Sequence, residues 1–97
     1  MTQSVQPTLE QIRSHALACL AALVEDVSCG TPTTARWDAV RHALEALPTT
    51  TEEASVMRNR LRNAQVYLET DERGAARYEL RLLSSRLARL WWDLDDE

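Results

Sequence analysis

From Ala76 onward leucine recurs at Leu80, Leu83, Leu87, Leu90 and Leu94, in alternating steps of four and three residues. This is the seven-residue repeat of an amphipathic helix, whose turn of about 3.6 residues brings such positions to one side. In a strand, with side chains alternating between faces, the same residues would be scattered over both. A helix with an apolar stripe of this length must bury it against other elements, so the remainder of the chain has to supply partners.

It supplies three more helices. "TLEQ" at Thr8 to Gln11 has the spacing of a capping box, in which the Thr hydroxyl and the Gln side chain satisfy free backbone N–H groups at a helix start. A stripe of Leu9, Ile12, Ala16, Cys19, Leu20, Leu23 and Val27 follows, flanked by Ala18, Ala21 and Ala22, until "CGTPTT" stops it with Gly30 and Pro32. The second helix starts at a Thr33 or Thr34 cap, carries Trp37, Val40, Leu44 and Leu47, and ends at Pro48. Thr50 and Glu53 repeat the capping-box spacing ahead of Ala54, Met57, Leu61, Ala64 and Leu68, and "TDERG" places a tight turn over residues 70–74. The pattern predicts an all-α, small antiparallel four-helix bundle with helices at about 8–29, 34–47, 51–69 and 74–94. One helical domain spans 1–97, with a short disordered start (1–7) and an acidic end (95–97).

Composition agrees: two Gly, three Pro and no Phe in 97 residues, with Ala, Leu, Arg and Glu abundant. At this size a single core is adequate but marginal, so apolar surface left over after the core is built is informative. The net charge of -4 argues against nucleic acid as the partner. The distribution is uneven: residues 1–55 hold three Arg and seven acids, and residues 56–97 hold eight of each, four of the acids in the terminal "DLDDE". A local basic surface is compatible with that distribution. "MTQSVQPT" has neither the basic start nor the apolar run of a signal peptide, and no segment has the apolar length of a membrane span, so the chain reads as cytoplasmic. Cys19 and Cys29, about 15 Å apart if one helix joins them, read as two reduced thiols.

The last helix has a second side. Tyr78, Leu82, Ser85, Arg89 and Trp92 fall opposite the leucines, with Arg73, Arg77 and Arg81 along one flank. One account makes this the central helix, covered by the first helix on one side and by the second and third on the other. The other makes Tyr78, Leu82, Arg89 and Trp92, with Arg77 and Arg81, an exposed partner interface. The second is favoured: the other helices offer one strong stripe each, and Tyr, Trp and Arg around a Leu are residue types enriched at interface hot spots. Two copies of this helix packed antiparallel would bury Tyr78, Leu82 and Trp92 against their symmetry mates and leave Arg89 to acids of the other chain, so a homodimer is expected.

Chemistry-bearing patterns are sparse. His15 and Cys19 are four apart on one helix face and His42 could join them, but no paired ligand motif accompanies them, so no metal and no cofactor is expected. "RWDAVRH" resembles the Arg-to-His spacing of the HEPN family of all-helical ribonucleases, with Trp37 where a polar residue is usual. That resemblance implies Arg36 on the scissile phosphate and His42 as acid or base. "YLETDERGAARYELRLL" resembles a tetratricopeptide helical hairpin at Tyr67, Ala76 and Leu80, which implies antiparallel packing of the last two helices. It lacks the usual Gly and has no second copy. The reading is a non-enzymatic, small acidic protein-binding or regulatory protein of bacterial or phage type: an inhibitor, an antitoxin-like or counter-defence protein, or a secretion chaperone. The alternatives are a helical ribonuclease using Arg36 and His42, and a nucleic-acid-associated protein using Arg58, Arg62, Arg73, Arg77 and Arg81.

Overall fold

A computed structural model describes residues 8–90. Four helices follow in order, α1 (Leu9–Cys29), α2 (Thr34–Glu45), α3 (Thr51–Glu69) and α4 (Arg73–Ala88). The expected disorder at 1–7, the acidic end at 95–97, and the positions of Trp92 and Leu94 lie outside the described residues.

The start signals act as their chemistry requires. Thr8 Oγ1 accepts from the Gln11 N–H at 3.1 Å while Gln11 Oε1 accepts from the Thr8 N–H at 2.8 Å, completing the capping box of α1. Thr33 and Thr50 cap α2 and α3 through the N–H groups of Arg36 and Glu53.

Two helix ends differ from expectation. α2 stops at Glu45, before Leu47, because the residue preceding Pro48 is sterically excluded from helical backbone. Leu47 is buried all the same. α4 ends at Ala88, where the N–H groups of Arg89 and Leu90 bond three residues back to Arg86 and Leu87 and tighten the last turn; positions 91–94 of the expected helix lie outside the described residues. Between α3 and α4 the left-handed residue is Asp71 (φ 61°), and Gly74 already lies inside α4. The Glu72 N–H bonds to the Tyr67 carbonyl at 2.8 Å and the Asp71 N–H to that of Leu68 at 3.1 Å, a Schellman closure with Asp in the place glycine usually takes.

Each helix packs on its neighbours in the chain, and α1 closes the ring against α4, while the diagonal pairs make no close backbone approach. The core comprises Leu20, Leu23 and Val27 of α1, Trp37, Val40 and Leu44 of α2, Met57 and Leu61 of α3, and Leu80, Leu83 and Leu87 of α4. Leu9, placed in the stripe by its spacing, is 48% exposed, since it lies in the first turn of α1 beyond the reach of the core. Arg13 Nη1 donates to the Leu90 carbonyl at 2.6 Å beyond the end of α4, and Arg73 Nη1 donates to the Val27 and Gly30 carbonyls at the end of α1, the latter at 2.7 Å. Each helix thus caps the other's carboxyl end with a cation, where the helix dipole favours positive charge.

Leu83→Ala and Leu87→Ala are each expected to lower unfolding stability by about 2–5 kcal/mol, the range for truncating a fully buried leucine. Arg73→Met, which leaves the α1 carbonyls without their donor, should cost about 1–3 kcal/mol. Urea titrations followed by circular dichroism measure all three, and wild-type midpoints would overturn the packing described.

Candidate protein-interaction face

α4 meets α1 and α3 but not α2, so no helix of the described bundle lies across its second side. Tyr78 is 62% exposed, the highest value among the large apolar side chains of the described residues. Leu82 is half-buried, Arg81, Ser85 and Arg89 are exposed, and Arg77 is half-buried with its Nε lacking a hydrogen-bond partner among the described residues. Five of the six residues expected at the interface therefore share the outward side of α4 and its end. The sixth, Trp92, lies outside the described residues.

Two shallow depressions lie along this side. One, of about 230 Å³, is bounded by Gly74, Arg77, Tyr78 and Arg81. The other, of about 430 Å³, runs between Leu82, Ser85, Arg89 and Leu90 on one bank and Glu53 and Arg60 on the other. Gly74 leaves open space beside Tyr78, since a Cβ built on it meets nothing.

The eleven arginines divide into two groups. Arg13 pairs with Glu10, Arg36 with Asp26 at 2.7 Å, Arg41 with Asp38, Arg60 with Glu79 at 2.9 Å and Arg86 with Glu53 at 2.7 Å, while Arg73 holds the end of α1. Arg58, Arg62, Arg77, Arg81 and Arg89 make no ion pair with another described residue, and all five belong to α3, α4 or the end of α4. Of the chain's fifteen acids, Asp93, Asp95, Asp96 and Glu97 lie beyond residue 90, which leaves eleven within 8–90, equal to the eleven arginines there. The described bundle is formally neutral, and the net charge of -4 resides wholly in the residues that follow it.

Glu79 was not foreseen. It interrupts the leucine side of α4 and is only 7% exposed, with its carboxylate held by Arg60 of α3. The signal was present in its spacing, three after Ala76 and four before Leu83, which puts it on the buried side.

The remaining patterns are not assembled into sites. Arg36 is engaged by Asp26, and His42, exposed and six residues further on, is turned about 240° and raised about 9 Å from it along α2. His15 Nε2 lies 3.6 Å from Cys19 Sγ, but among the described residues no cluster of three or more His, Cys, Asp or Glu could hold a metal. Cys19 and Cys29 are free. No helix among the described residues is long and apolar enough to cross a membrane. Of the arginines grouped as a nucleic-acid surface, Arg73 is committed to the α1 cap and half-buried.

No protein-family model matches the chain, and comparison with curated proteins and with solved structures finds no match.

The exposures separate adjacent leucines. In the isolated protomer Leu82→Ala is expected to cost about 1 kcal/mol or less against the larger loss at Leu83, and Tyr78→Ala to change stability by no more than about 0.5 kcal/mol. Parallel denaturation of the three variants measures this, and equal losses at Leu82 and Leu83 would make the second side of α4 part of the core.

Proposed function

We propose that the chain is a non-enzymatic protein-binding module that acts by presenting the outward side of α4 to an acidic surface of another protein. The observation that carries this reading is the coincidence, on one helix side, of an exposed Tyr78, a half-buried Leu82 and arginines at 77, 81 and 89 without carboxylate partners among the described residues. Aromatic and apolar area supplies the association energy, and guanidinium groups supply orientation and planar bidentate pairing to carboxylates. An inhibitor, an antitoxin-like protein, a counter-defence protein or a secretion chaperone of bacterial or phage type would each use such a surface. The cytoplasm is the compartment this reading assigns.

The ribonuclease reading draws no support from Arg36, whose guanidinium is held by Asp26. A nucleic-acid partner is favoured less than a protein, because Arg73 is withdrawn from the proposed basic set and the chain's net charge of -4 opposes a polyanion.

The test is site-directed photo-crosslinking in the source cell, with a benzophenone amino acid placed at Tyr78, at Leu82 or, as a control, at Glu45 on α2. An adduct with a distinct protein from Tyr78 and Leu82, absent from Glu45 and lost on Arg81→Glu, is the expected result. Adducts of equal yield from all three positions, or none beyond background, would overturn the assignment.

A further inference from the structure

We propose that the depression around Arg77 and Arg81 receives the acidic residues 93–97 of a second copy of the chain, in a two-fold antiparallel pairing of α4 that makes the contact reciprocal. This rests on the preceding reading of the α4 side as a binding surface, and it names what occupies that surface when the protein is alone.

Charge carries the inference. The outward side of α4 holds Arg77, Arg81 and Arg89, and its one internal carboxylate, Glu79, is buried on Arg60. Two such sides pressed together on their own would set guanidinium against guanidinium. The compensating charge is in the same chain: Asp93, Asp95, Asp96 and Glu97 fall within seven residues after Leu90, and the bundle of residues 8–90 is formally neutral without them. Antiparallel pairing brings the carboxyl end of one α4 beside the amino-terminal half of the other, where Arg77, Tyr78 and Arg81 lie.

Direction favours the second copy over the chain's own end. Arg77 and Arg81 lie thirteen and nine residues before Leu90, about 20 and 14 Å back along the helix. Asp93 to Glu97 stand three to seven residues beyond Leu90, a span of about 10–25 Å when fully extended. Within one chain these residues must reverse direction and run back along α4 to meet both guanidinium groups. Between antiparallel copies the same groups meet without that reversal, and each interface contains the pairing twice.

The experiment is sedimentation velocity of the full chain across a micromolar concentration series, with circular dichroism to establish that each variant is folded. Wild type is expected to dimerise and to weaken as salt rises. Arg77→Glu with Arg81→Glu, and separately Asp93→Arg with Asp95→Arg and Asp96→Arg, should each weaken dimerisation at least about tenfold by opposing like charges. An equimolar mixture of these two variants should dimerise again, since the reversed side of one then faces the reversed end of the other. Arg58→Glu with Arg62→Glu, on α3, should leave dimerisation unchanged. A monomeric wild type, a mixture that stays monomeric, or an equal effect of the α3 variant would overturn the proposal. A monomeric wild type that still yields the Tyr78 adduct with another protein removes the self-pairing alone. A dimer without that adduct removes the other partner alone.

Discussion

The closing contact between α1 and α4 is the constraint on which the rest of the bundle depends. Helix pairs adjacent in sequence are brought together by short connections, but α1 and α4 are joined by no loop and must find each other through packing. Leu80, Leu83 and Leu87 of α4 share one buried core with Leu20, Leu23 and Val27 of α1. Apolar packing is tolerant of sliding and rotation, whereas hydrogen bonds are not. Arg13 on the Leu90 carbonyl and Arg73 on the Val27 and Gly30 carbonyls fix the register from both ends. With α1 and α4 so joined, the outward side of α4 is defined by subtraction.

A second polar device sets the rotation of α4. Glu79 lies on the buried side of that helix and reaches Arg60 of α3 at 2.9 Å. A buried carboxylate without a cation would carry a heavy desolvation cost, so any rotation that carries Glu79 away from Arg60 while keeping it buried is disfavoured. That pairing, between the two helices with the most extensive contact in the structure, holds Tyr78 outward as surely as it holds Glu79 inward.

Much of this was legible in the sequence because it is written in local chemistry. Thr8, Thr33 and Thr50 are caps whatever the tertiary structure, and a leucine repeat declares a buried side without specifying what buries it. The details left open are those decided by neighbours. Within the expected turn over 70–74 it is Asp71 that takes the left-handed position, because the last carbonyls of α3 at Tyr67 and Leu68 set where the chain reverses. The leucine repeat runs on through Leu90, yet α4 gives way to a tightened turn after Ala88. For the candidate face, Tyr78 and Arg81 could be placed on one side by arithmetic alone. Whether that side was covered depended on α2, which packs on α1 and α3 and leaves it open.

The absence of lysine gives the ring closure a property that composition alone does not suggest. Both cross-helix clamps, and the group that neutralises Glu79, are guanidinium groups, whose donors are fixed in a planar fork. An ammonium in those positions would offer its charge from a single, freely turning nitrogen. Here the direction of each donor is built into the side chain, so the ends of α1 and α4 are held at a set angle as well as at a set distance.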